Sequence, residues 1–98
     1  MKILPGPVAF EWDEGNIDKN LIKHDVTNKE AEEIFGNNPL KIFPDLKHLE
    51  EEERFVGYGV TNQSRKLTIV FTLRKEKIRV ISARDQNRKE RSVYEEKI

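Results

Sequence analysis

The residues of this sequence best suited to binding an anion are its seven arginines, all of which lie between positions 54 and 98. An arginine stays charged at any working pH, and its planar fork matches the oxygens of a phosphate group. Residues 1–53 carry six lysines against thirteen aspartates and glutamates, a formal charge of −7, whereas residues 54–98 carry twelve lysines and arginines against five, a charge of +7. A basic half of this kind suits a polyanion. The alternative is that the two halves neutralise each other across the fold.

Histidine is the natural group for proton transfer near neutral pH, and the chain has two, His24 and His48. Lys23 precedes His24 and could hold a phosphate beside it. The alternative for His24 is a hydrogen-bonded, partly buried structural role. His48 and Asp45 form too sparse a set with His24 to predict a metal site, so we expect no metal and no cofactor. The absence of cysteine excludes thiolate chemistry.

Two short helices are expected before the basic half. Asp13 can cap the first, which would run to about His24. Its predicted inward face consists of Ile17, Asn20, Leu21 and His24. The second helix begins after Thr27, which forms a capping box with Glu30, and Gly36 is a natural stop.

The remaining segments predict mainly strands. A first short strand, Val8 to Trp12, precedes the helices, and the later strands are Leu40 to Pro44, Phe55 to Val60, Leu67 to Arg74 and Lys77 to Arg84. A last helix is expected from Asn87, with Val93, Tyr94 and Ile98 on its apolar side. This order predicts one α+β domain over residues 1–98, a two-layer fold whose antiparallel meander has two N-terminal helices and one C-terminal helix.

The last two strands predict a hairpin with a two-residue turn at Lys75 and Glu76. This register puts one polar set on a single face, where we expect an exposed ligand-binding surface: Thr68, Thr72, Arg74, Lys77 and Arg79. Arg84 is expected at the margin of the opposite, core face. An ion pair with Glu90 or Asp85 is there as reasonable a role for Arg84 as phosphate binding.

Several short segments occur together in a distinctive order. They are Phe10-Glu11-Trp12-Asp13, Asn20-x-x-Lys23-His24-x-Val26, Glu30-Ala31 with Phe35, Asn38-Pro39, Asp45-x-x-His48, Glu53-Arg54, Gly59, Ile78-Arg79-Val80-Ile81-Ser82-Ala83-Arg84 and Glu90-Arg91-x-x-Tyr94. This set resembles the BrnT family of type II toxins from Phe10 to Glu95. The resemblance implies a RelE-like ribonuclease fold, activity on RNA, and neutralisation by an antitoxin encoded next to the toxin. Such antitoxins typically carry a ribbon-helix-helix region, so operator DNA would be contacted only through the antitoxin.

Cleavage of RNA without a metal needs a proton-transfer group and cations that stabilise the phosphate. Together with the resemblance, these needs predict the catalytic residues His24, Arg54, Arg79 and Arg84. The predicted RNA-binding residues are Lys23, Arg74 and Lys77.

The chain departs from the usual family pattern at two places. Asp25 stands where the family usually has glycine after the Lys-His pair, and the hairpin turn carries Arg74-Lys75-Glu76. These departures leave open a weak or inactive toxin homologue that serves as an antitoxin-binding or RNA-binding module. No segment reaches the length and apolar character of a signal peptide or membrane span, so a cytoplasmic protein is expected.

Overall fold

The computed structural model describes residues 8–46 and 52–96, which form three helices and four strands. The elements in chain order are α1 Lys19–His24, α2 Asn28–Glu33, β1 Lys41–Pro44, β2 Arg54–Val60, β3 Lys66–Arg74, β4 Lys77–Asp85 and α3 Arg88–Glu95. The strands form one antiparallel sheet in the order β1-β2-β3-β4. This arrangement confirms the predicted α+β class, the meander, and the positions of the helices at its two ends.

The capping boxes of α2 and α3 lie where the sequence predicts them. At α2, Thr27 Oγ1 accepts a hydrogen bond from Glu30 N at 3.0 Å, and Thr27 N donates to Glu30 Oε1 at 3.0 Å. At α3, Asn87 Oδ1 and Glu90 Oε1 make the same reciprocal pair at 2.8 and 2.9 Å.

Ile98, expected on the apolar side of α3, lies outside the described residues. Within residues 8–46 and 52–96, no helix is long and apolar enough to cross a membrane.

The core lies between α2 and one face of the sheet. The buried side chains are Val26, Ala31, Ile34, Phe35, Phe55, Leu67, Ile69, Phe71, Ile78, Val80 and Ala83. Gly59 of β2 permits the close approach of α2, because a Cβ there would lie 2.8 Å from Ile34 Cβ. The apolar spacing of Ala31, Ile34 and Phe35 therefore correctly predicts which side of α2 faces the sheet.

The N-terminal strand is reduced to a single bridge. Phe10 pairs in parallel with Ile78, through hydrogen bonds of 2.8 Å from Glu11 N to Ile78 O and from Ile78 N to Ala9 O. The chain then turns at Asp13, whose carbonyl accepts bonds from the amides of residues 16 and 17. The prediction of a strand from Val8 to Trp12 is therefore wrong in extent, because the turn removes the following residues from β4.

The inward face of α1 differs from the prediction. The helix begins at Lys19, and Ile17 and Leu21 are 45% and 42% exposed, whereas Asn16 and Asn20 are buried. Asn16 Nδ2 donates to the carbonyl of residue 80 at 3.1 Å, and Asn20 Oδ1 accepts from the amide of Ala83 at 3.0 Å. The predicted stripe is correct for Asn20 and wrong for Ile17, Leu21 and His24, because this segment packs along the open edge of β4, whose backbone groups require amides rather than apolar side chains.

The hairpin of β3 and β4 follows the predicted register only near its turn. Arg74 pairs with Lys77 and Phe71 with Val80, as expected, but a bulge between Val70 and Phe71 shifts the rest. Thr68 consequently faces Arg84 rather than Ala83. The bulge buries Ala83 in the core and turns Arg84 to the opposite face, so the predicted position of Arg84 at the core margin is wrong.

The predicted polar face is only partly open. Thr68 and Thr72 are each 2% exposed, which contradicts their expected exposure. Thr68 Oγ1 donates to Glu90 Oε1 of α3 at 2.9 Å, and Thr72 Oγ1 donates to Glu53 O at 2.7 Å. Because α3 and the segment before β2 supply these acceptors, the open part of the face is confined to the turn end of the hairpin.

Candidate functional site

Three arginines from neighbouring strands lie on the sheet face opposite α2, and we call them the arginine cluster. Arg54 begins β2 and Arg79 lies near the start of β4, and both pair with Thr72 of β3. Arg74 follows Thr72 by two residues, so its side chain leaves the same face. Neighbouring strands are about 4.8 Å apart, so the backbones of Arg54 and Arg79 are separated by about 10 Å. The cluster borders a depression completed by Gly15, Asn16, Lys19, Glu52, Val80 and Ile81.

Carboxylates from the acidic half face this cluster. Arg79 Nη1 lies 2.9 Å from Glu11 Oε1 and 2.8 Å from Asp13 Oδ2, and its Nη2 lies 3.0 Å from Asp13 Oδ1. Arg74 is 3.8 Å from Glu11 and 3.5 Å from Glu52. The hydrogen bonds from Arg79 lower the pKa of Asp13, and those to Asp13 raise the pKa of Arg79. Both groups therefore remain ionised over the physiological pH range.

Arg54 is held less completely than Arg79. Its Nε is buried and has no hydrogen-bond partner among the described residues. The nearest carboxylate oxygen, Glu52 Oε1, lies 3.8 Å away, which is beyond hydrogen-bond distance. A buried N–H without an acceptor is uncommon in folded proteins. Arg54 Nε is therefore a candidate to donate a hydrogen bond to an oxygen of a ligand. Lys77, paired with Arg74 beside the turn, is exposed.

His24 ends α1 and is exposed. The alternative that it is a partly buried core residue is therefore wrong. It borders an open depression that also contains two of the other predicted residues, Lys23 and Arg84. We call this the His24 depression, and its remaining lining residues are Leu21, Ile22, Asp25 and Asp85.

Arg84 is tied to α3 by a two-pronged ion pair. Its Nη1 and Nη2 lie 2.7 and 2.8 Å from the two carboxylate oxygens of Glu90, and Nη1 also donates to the carbonyl of residue 85 at 3.2 Å. The bonds from Arg84, followed by those from Asn87 N and Thr68, lower the pKa of Glu90 to about 2. These three bonds use three of the five N–H groups of a guanidinium. Two N–H groups of Arg84 therefore remain for a phosphate.

The predicted catalytic residues thus fall into two groups. His24 and Arg84 share one depression, whereas Arg54 and Arg79 belong to the arginine cluster. Arg79 and Arg84 are five residues apart on β4, which corresponds to about 16 Å along an extended strand. The two guanidiniums are also held by different carboxylates, Arg79 by Asp13 and Glu11 and Arg84 by Glu90, so they do not converge on one point.

No metal centre is formed by the part of the chain that is described. Within residues 8–46 and 52–96, no three His, Cys, Asp or Glu side chains come together in a way that could hold a metal ion. His48, considered with Asp45 and His24 in the sequence analysis, lies outside these residues.

Comparison with models of known protein families gives a match over most of the chain. The model of the family described as the ribonuclease toxin BrnT of type II toxin–antitoxin systems matches residues 12–90. The chain belongs to the BrnT family. The matched span includes all seven predicted site residues, and BrnT membership implies an RNA substrate and a cognate antitoxin. No curated protein matches the chain.

Several residues of this BrnT chain's candidate sites are not apparent from sequence alone. They are Glu11, Asp13 and Glu52 at the arginine cluster and Arg65 beside His24. The sequence signals for these contacts are the opposite charges of the two halves of the chain and, for Glu11 and Asp13, their place in the family-like segment Phe10-Glu11-Trp12-Asp13. These signals predict pairing between the halves but not the individual partners.

Proposed function

We propose that this BrnT-family chain is a metal-independent endoribonuclease toxin in which His24 transfers a proton and Arg84 stabilises the phosphate. The observation that carries the proposal is that an exposed histidine and an arginine with unused N–H groups border one open depression. Cleavage of RNA at its 2′-hydroxyl needs these two chemical functions and can proceed without a metal.

The roles within the His24 depression follow from residue chemistry. His24 can remove the proton of the 2′-hydroxyl or return one to the 5′-oxygen, because an imidazole exchanges protons near neutral pH. Arg84 offers its two remaining N–H groups to the phosphate oxygens as negative charge develops. Lys23, next to His24, adds a cation on the same side.

The arginine cluster is proposed to bind the RNA backbone away from the scissile phosphate. Because Arg79 and Arg84 are held by different carboxylates, the cluster suits a neighbouring part of the same RNA strand. Arg54, Arg74 and Arg79 would contact phosphates there, with Lys77 at the turn. The carboxylates of Glu11 and Asp13 compete for Arg79. The side chain of Asp13 is 54% exposed, so a phosphate would reach Arg79 by taking the place of Asp13.

The proposed partner is a cognate antitoxin with a ribbon-helix-helix region, through which the complex would contact operator DNA. Family membership and the sequence resemblance support this proposal.

Expression of the chain alone should slow bacterial growth, and coexpression with the adjacent reading frame should restore it. Normal growth at verified high expression of folded protein would contradict an active toxin.

Cleavage of RNA by purified protein in EDTA is the direct test. We expect cleavage to persist in EDTA and to fall by roughly a hundredfold or more in His24→Gln, because a general acid or base contributes about that factor. His48→Gln makes the same chemical change at the other histidine and is the matched control. Full loss of cleavage in EDTA, or parental cleavage by folded His24→Gln, would contradict the mechanism.

A second candidate function is an inactive homologue that binds RNA or antitoxin without turnover. This candidate is favoured because the carboxylate of Asp13 binds Arg79 and that of Glu90 binds Arg84, so both arginines already have an anionic partner. It requires salt-sensitive RNA binding, or tight antitoxin binding, with no cleavage of RNA. The EDTA experiment separates it from the first candidate when binding and cleavage are measured on the same sample.

A further inference from the structure

Arg65 connects three elements beside His24, although the proposed mechanism does not use it. Its Nη1 donates to the carbonyl of Asp25 at 2.7 Å, and its Nη2 donates to the carbonyl of His24 at 3.3 Å. Its Nε and Nη2 bind the two carboxylate oxygens of Asp85 at 2.7 and 3.1 Å. Nη1 also lies 3.2 Å from Glu30 Oε2 in the capping box of α2. The guanidinium therefore fixes the end of α1 to α2 and to the end of β4.

The geometry at the end of α1 explains why an arginine fits there. The last carbonyls of a helix have no partner within the helix, and they carry partial negative charge. A planar guanidinium can bind two such carbonyls and a carboxylate at the same time, which a lysine ammonium cannot do in fixed geometry.

The loop before β3 holds Arg65 in position. Thr61 N donates to Arg65 O at 2.9 Å, and Arg65 N donates to Thr61 Oγ1 at 3.0 Å. Ser64 completes this turn with a φ of 70°. The side chain of Arg65 is 26% exposed, so water screens its interactions only in part.

Charged groups from the neighbouring elements either border the His24 depression or bind Arg65 beside it. Lys23 and Asp25 belong to α1 and its cap, Glu30 to α2, Arg84 and Asp85 to β4, and Arg65 to the loop before β3. Asp85 interacts electrostatically with His24, and Arg65 binds Asp85 directly. The charge of Arg65 therefore offsets the attraction that Asp85 exerts on an imidazolium at His24.

We propose that Arg65 is a positioning residue that fixes the backbone of His24 at the end of α1 and binds the carboxylate of Asp85 beside it. This inference rests on the proposed role of His24 in RNA cleavage. It adds a residue that touches neither substrate nor reacting atoms in that mechanism.

The test is an NMR titration of the His24 ring in the full-length chain. The chain has two histidines, so His48→Gln identifies the His24 signal. Arg65→Gln should move the titration of the His24 ring to higher pH than in the parent, because Asp85 would then act without its partner cation. Asp85→Asn should move it in the opposite direction. Lys75→Gln, at the distal turn, removes the same charge as Arg65→Gln and should leave the titration unchanged.

Cleavage supplies the second measurement. The pH profile of cleavage should shift in the direction of the His24 titration for each variant, and Arg65→Lys should restore the titration but not the parental rate. A role of Arg65 in stability alone would leave the pH profile of the folded fraction unchanged.

The outcomes separate this inference from the proposed function. An unchanged His24 titration in folded Arg65→Gln overturns the inference, whether or not the parent cleaves RNA. If Arg65→Gln does not fold, Asp85→Asn decides in the same way, because its side chain is 63% exposed and its loss should be tolerated. Shifted titrations with an unshifted cleavage profile overturn the role of His24 itself, and with it the positioning role.

Discussion

Asp25 carries a conformation that favours glycine. Its φ is 56°, its amide donates to Leu21 O at 3.1 Å, and the amide of Val26 donates to Asn20 O at 3.0 Å. The bond from Asp25 to Leu21 is that of an αL cap, in which a left-handed residue follows the helix, and Val26 after it is buried. This left-handed conformation explains why a glycine suits the position. The side chain of Asp25 therefore adds backbone strain at the end of α1.

Asp25→Gly should raise the free energy of unfolding by about 0.5 to 1 kcal/mol, because glycine adopts a positive φ without a steric cost. The carbonyl that binds Arg65 belongs to the backbone and should stay in place. Urea unfolding followed by circular dichroism measures the change. Lys29→Gly, in the ordinary helical conformation of α2, is the control and should lower stability by about 1 kcal/mol. Equal losses in both variants would contradict the expected relief of strain.

At the scale of elements, the β3–β4 turn has the same kind of strain. Lys75 and Glu76 have φ values of 50° and 66°, the combination of a type I′ turn, which Asn-Gly adopts most readily. The double substitution Lys75→Asn with Glu76→Gly should stabilise the protein by about 1 to 2 kcal/mol. Thermal unfolding would measure the gain. Lys75→Val, which places a β-branched residue at positive φ, should lower the melting temperature, and a rise in that variant would contradict the turn conformation.

The contact between α3 and the sheet should depend on pH through Glu90. Its pKa is lowered from 4.5 to about 2, chiefly by the bonds from Arg84, so its stabilising effect is complete above pH 4.5 and is lost as pH falls towards 2. Glu90→Gln should cost about 1 to 2 kcal/mol at pH 7 and make the loss of stability between pH 5 and pH 2 smaller than in the parent.

Urea unfolding at a series of pH values measures this difference. Glu96→Gln removes one carboxylate from the end of the same helix and should leave the pH dependence close to that of the parent. A parallel fall in stability for the parent and for Glu90→Gln over this range would exclude Glu90 as the titrating group.

The elements differ in how far local sequence specifies them. The capping boxes of α2 and α3 are predictable because Thr27 with Glu30, and Asn87 with Glu90, interact across three residues. The inward face of α1 is predictable only for Asn20. Ile17 and Leu21 lie outward, because this face is set by bonds to distant residues, such as that of Asn20 to Ala83, 63 positions away. The bulge that reorients Arg84 is likewise set by packing between strands. Lys23, His24 and Arg84 of the His24 depression stand in the family pattern, but the face on which Arg84 lies depends on that bulge.

At the scale of the whole molecule, the opposite charges of the two halves meet in the fold. Arg65 pairs with Glu30, Arg79 with Glu11 and Asp13, and Arg74 with Glu11. The alternative that the halves neutralise each other is therefore confirmed at these contacts. Much of the positive charge that would attract RNA is already occupied, so RNA binding requires exchange of partners.

Asp13→Asn should strengthen RNA binding, because it releases Arg79 while an amide oxygen can still accept the bond from Gly15 N. The plot of log affinity against log salt should steepen by about 0.7 for each additional phosphate contacted. Glu14→Gln makes the same change in net charge one residue away and is the matched control. Fluorescence anisotropy with a labelled single-stranded RNA measures both variants. Equal gains in affinity would show that net charge, rather than the release of Arg79, controls binding.

The side-chain amide of Asn20, which covers the edge of β4, also makes local motion of α1 measurable by hydrogen exchange. The amide of Ala83 has no strand on its outer side, and its acceptor is Asn20 Oδ1. Its hydrogen exchange with solvent therefore requires α1 to move away from the sheet, whereas the amides shared between β3 and β4 require the strands to separate. Ala83 should exchange faster than those neighbours, and the difference gives the free energy of detaching α1 alone. Any ligand that immobilises α1, the helix that carries His24, would slow exchange at Ala83, even if the ligand touches neither Asn20 nor Ala83.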